Sequence, residues 1–169
     1  MTFQVGEKVV YPNQGVGVVE NISSRSFGSQ CEQFYLLRLT YSSMTVMVPF
    51  SNVTNVGLRK ICRSGEIQRI LNFLATGTCR SSCDWKVRFK ENTGKMQSGN
   101  LLQAAEVLKS LLLLQQSKPL SFREKKMLDR ARHMLVTEIS TARHLPECET
   151  VAILERALTK ASLHLPQVL

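Results

Sequence analysis

Residues 8–20 read KVVYPNQGVGVVE and place two short apolar, β-branched runs on either side of a turn. The four residues from Pro12 to Gly15 favour turns, and the second run extends from Val16 to Glu20. We therefore predict an antiparallel strand–turn–strand unit near the start of the chain. Gly15 and Gly17 belong to that turn, because a dinucleotide-binding loop requires a third glycine and a following helix.

Further strands are predicted before residue 60. Residues 34–39 form one apolar run, and residues 44–48 alternate at period two, which leaves Met47 on the face opposite the apolar residues. Residues 52–56 give a weaker fifth run. Five short strands in this length predict a small antiparallel β-barrel of the SH3 or Tudor kind.

After residue 60 the apolar residues recur every three or four positions, which is typical of amphipathic helices. Four or five helices are predicted, with Asp84 and Ser121 as N-caps and with breaks at Thr93-Gly94 and Ser98-Gly99. The clearest apolar stripes are Ile67, Ile70, Leu71 and Leu74; Leu101, Ala104, Ala105, Leu108, Leu111 and Leu112; Leu128, Ala131, Leu135, Ile139 and Ala142; and Leu154, Ala157, Leu158, Ala161 and Leu165.

The predicted fold class is therefore α+β with two domains. Residues 1–60 form a small N-terminal antiparallel SH3- or Tudor-like β-barrel, and residues 61–169 form a C-terminal α-helical bundle.

Charge is concentrated in the helical half. Lys and Arg number 22 against 13 Asp and Glu, for a net charge of +9. Residues 61–169 hold seventeen of these basic and ten of these acidic residues, a net charge of +7. An excess of this size indicates a polyanionic partner, most often nucleic acid. The longest aliphatic run, Leu111 to Leu114, is far too short to span a membrane.

The five cysteines are an odd number without the spacing of a disulfide framework, so we expect reduced thiols and a cytoplasmic location. Cys79 and Cys83 are the close pair, and Cys62 is a third candidate zinc ligand. A structural zinc site requires four ligands, and no histidine stands near them in sequence. We predict no metal, no cofactor and no enzymatic activity; a metal-dependent or thiol enzyme is the alternative that rests on these cysteines.

Trp85 is the single tryptophan and stands in a basic segment from Arg80 to Lys90. Trp85 and Phe89 are four residues apart on one helical face, and this pattern alone favours burial in the core. The other interpretation is an exposed ring at the start of a capped helix. A flat apolar ring beside cations can press against a base step from the minor groove.

A second basic cluster is open to two interpretations. It is the solvated face of a helix, or it contacts phosphates from the first turns of that helix. Its members are Lys118, Arg123, Lys125, Lys126, Arg130 and Arg132, with Glu124 and Asp129 between them.

Four segments stand in a specific order along the chain. They are FxVGxxVVYPxxG at 3–15, TVMVP at 45–49, WxxRFK at 85–90 and LSxxEKxML at 120–128. Together they resemble the CarD/CdnL family of bacterial transcription regulators over residues 3–160.

The resemblance implies that the N-terminal domain binds the β subunit of bacterial RNA polymerase. Arg25 matches one polymerase contact of the family, and Met47 and Pro49 lie at another. Many relatives carry Arg at the position of Met47, so a salt bridge there is absent or replaced by an apolar contact.

The resemblance also implies that the helical domain contacts promoter DNA at the upstream edge of the −10 region, largely without reading its sequence. Trp85 would be an exposed minor-groove wedge that stabilises the open complex. Independently of the resemblance, we expect a monomer in solution, because the sequence shows no evident self-complementary patch. Val87 stands where some relatives carry a basic residue, so one phosphate contact would be missing. The implied DNA contacts are Trp85, Lys86, Arg88, Lys90, Lys125 and Lys126.

The alternative function is a protein–protein adaptor. In that case the barrel would bind polymerase and the helices would bind another protein without contacting DNA. The run from Leu111 to Leu114 and the apolar residue Met47 motivate this alternative.

Overall fold

The computed structural model describes residues 2–79 and 83–165, and the chain divides into two compact units, Met1–Ile61 and Cys62–Leu169. The strands are β1 (Lys8–Tyr11), β2 (Gly15–Phe27), β3 (Gln30–Leu39), β4 (Thr45–Pro49) and β5 (Arg59–Lys60). The helices are α1 (Val53–Val56), α2 (Ser64–Thr76), α3 (Trp85–Gln97), α4 (Leu101–Ser117), α5 (Phe122–Arg143) and α6 (Glu147–Thr159). An α+β chain with an N-terminal antiparallel sheet followed by helices confirms the predicted fold class.

The N-terminal unit is a five-stranded antiparallel sheet with the order β4-β3-β2-β1-β5. Its core packs around Tyr35, whose ring stacks on Phe50 at 4.1 Å and meets the edge of Phe3 at 5.5 Å. The buried Tyr35 hydroxyl accepts a hydrogen bond from the Phe3 backbone N–H at 3.0 Å. The aromatic core therefore ties the first residues of the chain to the third strand.

The prediction of a strand over residues 52–56 is wrong. A 3₁₀ turn, Phe50–Asn52, leads into the short helix α1, which turns Val53 into the core. Gly57 ends this helix with φ 81°, and its N–H donates to the carbonyls of Val53 and Thr54. The fifth strand is β5 instead, which pairs with β1.

The helical unit has one continuous core to which the described helices α2 to α6 contribute. The helix α4 packs against α2, α3 and α5, and α6 packs against α2 and α5. The predicted stripes occupy this core, as shown by the fully buried residues Ile67, Leu108, Leu135 and Leu154.

The helix caps follow the predicted signals, with one exception in α3. Asp84 and Ser121 are N-caps whose side chains accept hydrogen bonds from the Lys86 and Glu124 backbone N–H groups. The expected break at Thr93-Gly94 is absent, because α3 continues through both residues to Gln97. The Thr93 hydroxyl donates a hydrogen bond to the Phe89 carbonyl, one turn earlier, at 2.8 Å, which is typical of a threonine inside a helix.

Candidate functional site

The first turn of α3 presents Trp85 to solvent. Trp85 directly follows the Asp84 cap and is 59% exposed, as the family resemblance implies. The burial favoured by its spacing to Phe89 alone is wrong. The two residues do share a helical face, but helical side chains lean toward the N-terminus. At the first helical position the ring therefore extends beyond the end of the helix, whereas Phe89, one turn later, is half-buried.

The first turn of α5 repeats this arrangement. Phe122 directly follows the Ser121 cap and is 70% exposed, the highest value among the exposed large apolar residues. Each ring carries a lysine: Lys126 Nζ lies 4.6 Å from the Phe122 ring centroid, and Lys86 Nζ lies 5.6 Å from that of Trp85. Both helices therefore begin with a cap, an exposed aromatic ring and a cation over that ring.

Side-chain contacts join the beginnings of α3 and α5. Arg88 Nη2 lies 3.5 Å from Glu124 Oε1, and the guanidinium of Arg123 lies 6.0 Å from the centroid of the Phe89 ring. Each contact links a residue in the first four or five positions of α3 to one in the first three of α5. The two exposed aromatic residues therefore belong to one local surface, which we call the aromatic-basic surface.

Most of the implied DNA contacts are accessible on this surface. Lys86, Lys90, Lys125 and Lys126 are all exposed, as Trp85 is. Arg88 is the exception, because it is only 4% exposed and forms an ion pair with Glu124. A guanidinium buried in this way is not available to a phosphate, so the assignment of Arg88 as a direct DNA contact is corrected.

Sequence reasoning missed Phe122 as a candidate for this surface. A signal was present, because Ser121-Phe122-Arg123 repeats the pattern cap, aromatic residue, cation that occurs at Asp84-Trp85-Lys86. Arg80, at the start of the basic segment, lies outside the described residues.

In the N-terminal unit, the strand register places the three residues of the implied polymerase contact on one face of the sheet. Arg25 is opposite Glu32, Pro49 is opposite Phe34, and Met47 is opposite Leu36. These three partners alternate along β3 with the core residues Tyr35 and Leu37, so they lie on the opposite face of the sheet. Arg25, Met47 and Pro49 therefore share the outer face of β2, β3 and β4. Phe34 is nonetheless only 9% exposed on that face.

A second aromatic contact lies on this outer face. Phe27 is 60% exposed at the end of β2, and its ring meets the edge of Phe34 at 6.3 Å. Sequence reasoning missed Phe27 because it ended the second strand at Glu20, whereas β2 continues to Phe27. The outer face is thus an apolar surface with Arg25 beside it.

The described cysteines give little support for a thiol nucleophile or a metal site. Burial raises the pKa of the Cys79 thiol above its usual 9.0, against the opposing effect of the Lys109 charge, and a protonated thiol is a poor nucleophile. Within residues 2–79 and 83–165, no three His, Cys, Asp or Glu side chains are grouped to hold a metal ion. None of the helices in those ranges has the length and apolar character needed to cross a membrane.

Two family models match the chain, one for each unit. The model "CarD-like/TRCF RID domain" matches residues 3–62, and the model "CarD, C-terminal domain" matches residues 69–155. The second match alone covers about half of the chain and contains the whole aromatic-basic surface.

One full-length relative gives the same result, and two solved structures are similar in sequence to the N-terminal part. The chain is 33% identical over 145 residues to the candidate transcription factor YdeB of Bacillus subtilis (strain 168), a match that covers 86% of this chain and 95% of YdeB. The solved structure of CdnLNt from Myxococcus xanthus is 43% identical and covers 36% of this chain and 86% of its own, with a TM-score of 0.31. The 72-residue N-terminal domain of Myxococcus xanthus CarD is 39% identical, covers 35% and 79%, and has a TM-score of 0.30.

Proposed function

The chain belongs to the CarD family of transcription factors, and from that premise we propose that it stabilises the open complex formed by bacterial RNA polymerase at promoters. The N-terminal unit would bind the β subunit, and the helical unit would contact DNA at the upstream edge of the −10 region. The function is non-catalytic and requires a cytoplasmic location.

The observation that carries this proposal is the aromatic-basic surface. Trp85 is exposed among Lys86, Lys90, Lys125 and Lys126, all of which are exposed. Lysines hold phosphates without sequence preference, and an apolar ring can enter between base steps from the minor groove. Two helix N-termini at the same surface add a favourable potential for phosphates.

The wedge would act on the equilibrium between closed and open promoter. A ring that fits a partly unstacked base step has higher affinity for opened DNA than for an intact duplex. Only such a difference in affinity shifts a two-state equilibrium, and about 1.4 kcal/mol corresponds to a tenfold shift. We therefore assign to Trp85 the contact that favours open over closed promoter DNA. The lysines would contribute equally to binding of the open and the closed promoter.

The outer face of the sheet would bind polymerase. Arg25, Met47 and Pro49 share this face with the exposed ring of Phe27. The strand β4 stands at one end of the sheet order, and an end strand can pair with a strand of a partner. Met47 makes the contact apolar where relatives with Arg would form a salt bridge, so we expect polymerase binding to depend weakly on salt at this position.

Attachment to polymerase explains how a few lysines can be enough for the helical unit to bind promoter DNA. A small set of lysine–phosphate interactions alone gives weak, salt-sensitive binding. Binding of the N-terminal unit to polymerase raises the effective concentration of the helical unit at one position on the promoter. A monomer is sufficient for this arrangement.

The lifetime of a promoter open complex tests the proposal, measured after competitor challenge with wild type, Trp85→Ala and Met47→Asp. We expect wild type to lengthen the lifetime and both variants to lose the effect. Binding to the isolated β subunit separates the causes, because Trp85→Ala should retain it and Met47→Asp should lose it. Met44→Asp is the matched control, since Met44 is 50% exposed and precedes β4.

An unchanged lifetime with saturating, folded protein would reject the DNA function and favour the adaptor alternative. The apolar run that motivated the adaptor alternative offers little exposed surface for a protein partner. Leu111 and Leu112 are buried in the core, and Leu113 is 39% exposed.

A further inference from the structure

We propose that the buried ion pair between Arg88 and Glu124 is a positioning device that holds Trp85 in the orientation required for DNA contact. The inference rests on the proposed function and adds two residues to it, neither of which touches DNA. Arg88 thereby changes from a direct contact to a positioning residue.

Burial distinguishes this ion pair from an ordinary surface pair. Arg88 is 4% and Glu124 is 8% exposed, and their charged atoms are 3.5 Å apart. A second ion pair of α3, between Lys95 and Glu106 at 3.1 Å, leaves about a third of each side chain in solvent. A buried charge persists only when it is paired, so the first pair couples its two helices far more tightly than the second.

The Glu124 carboxylate contacts residues at the N-terminal ends of both α3 and α5. Glu124 Oε1 faces Arg88 and also accepts a hydrogen bond from the Ser121 hydroxyl at 3.2 Å. Ser121 in turn caps α5 by accepting from the Glu124 backbone N–H at 3.3 Å. Trp85, three residues before Arg88, is therefore linked through a short series of polar contacts to the residue that precedes Phe122.

An exposed wedge depends on such support. The Trp85 ring is mostly in solvent, so its orientation is determined by its helix and not by packing around the ring. A ring pressed against a base step transmits force to the first turn of α3, which Arg88 joins to the long helix α5. Without the ion pair, this turn can rotate or fray and the ring loses its fixed direction.

Intrinsic fluorescence reports the mobility of the Trp85 ring directly, because Trp85 is the only tryptophan in the chain. The variants Arg88→Met and Glu124→Gln remove the pair from opposite helices, and Lys95→Met is the matched control on α3. We expect both pair variants to lower the steady-state anisotropy of Trp85 and to raise its quenching by acrylamide, in the absence of DNA and polymerase. The control should match wild type in both quantities.

The open-complex lifetime of Glu124→Gln then distinguishes a charge effect from a positioning effect, because the two predict changes of opposite sign. Removal of the Glu124 charge near DNA should strengthen phosphate binding if only charge matters. The positioning role predicts the opposite, namely that Glu124→Gln shortens the open-complex lifetime. It also predicts no additional loss when Glu124→Gln is combined with Trp85→Ala, because both changes remove the same contact.

The proposal is overturned if the folded pair variants keep wild-type anisotropy and quenching, or if their promoter losses add to that of Trp85→Ala. Circular dichroism establishes folding, and if Arg88→Met does not fold, the nearly isosteric Glu124→Gln decides alone. The fluorescence result is independent of whether the protein acts on promoters, so failure of this inference and failure of the proposed function give different outcomes.

Discussion

The ammonium group of Lys109 donates a hydrogen bond to the carbonyl of Gly77 at 2.6 Å. It also donates to the Phe73 carbonyl at 2.9 Å, so this buried lysine of α4 satisfies carbonyls at the C-terminal end of α2. Burial lowers the pKa of Lys109 below its usual 10.5, because the ammonium loses contact with water. The contact fixes the C-terminal end of α2.

Lys109→Met should therefore destabilise the helical unit. The change leaves both carbonyls without their charged donor, at a cost of about 1–3 kcal/mol. Equilibrium denaturation in urea measures this cost, with Lys95→Met as the control because Lys95 is about one-third exposed. Equal unfolding midpoints for the two variants would contradict the assigned role of Lys109.

Gly94→Ala should stabilise the protein. Gly94 lies inside α3, and a Cβ added there meets nothing within 4 Å. Alanine in a helix interior is favoured over glycine by about 1 kcal/mol. Gly77→Ala is the opposite case, because its Cβ would lie 2.6 Å from the Phe73 carbonyl oxygen and would also clash with the Phe73 ring. We expect it to lower the melting temperature, whereas Gly94→Ala raises it. A neutral or destabilising Gly94→Ala would mean that α3 is interrupted at this position.

Stability should fall on mild acidification because of His133. Burial lowers the pKa of His133 below its usual 6.5, with the Arg132 charge acting in the same direction against Glu147 and Asp129. As the pH falls below the usual value, the unfolded chain binds a proton before the folded one, so stability present above pH 6.5 is progressively lost.

The variant His133→Gln should reduce this loss. Glutamine does not titrate, and its amide can replace His133 Nε2 in the hydrogen bond with Thr137 Oγ1, which spans 3.2 Å. Thermal unfolding at pH 7.5 and pH 5.5 should give a smaller difference for the variant than for wild type. An identical pH dependence would show that His133 does not contribute to it.

The lysines of the aromatic-basic surface should each contribute to the salt dependence of DNA binding. Replacement of Lys86, Lys90, Lys125 or Lys126 by Ala should reduce the slope of log K against log salt by about 0.9 for each phosphate that is no longer neutralised. Fork-junction DNA is the appropriate ligand, and Lys160→Ala on the end of α6 is the control. A change of the same size with Lys160→Ala would mean that binding follows net charge and not this surface.

Local signals predicted much of the fold. The β-branched runs, the Asp84 and Ser121 caps and the helical stripes depend on neighbours within a few residues, so they can be identified in one sequence. Residues 52–56 were misassigned because a short apolar run is compatible with either a strand or a helix turn. Gly94 was misassigned because a helix tolerates an isolated glycine when tertiary packing supports it.

The candidate site was less predictable because burial depends on distant residues. The burial of Arg88 depends on Glu124, which is 36 positions further along the chain and approaches only after α5 folds beside α3. The exposure of Trp85 depends on its place at the end of a helix and not on the spacing to Phe89. Such relationships become visible only when the neighbouring helix is in place.

A fluorescent base at the promoter fork tests the central claim most directly. The base 2-aminopurine, placed at the upstream edge of the −10 region, brightens when its stacking is disturbed. With polymerase present, we expect wild-type protein to raise this signal and Trp85→Ala to leave it unchanged, although both bind the β subunit. An equal increase with both proteins, or no increase with either, would contradict the assignment of Trp85 as a wedge.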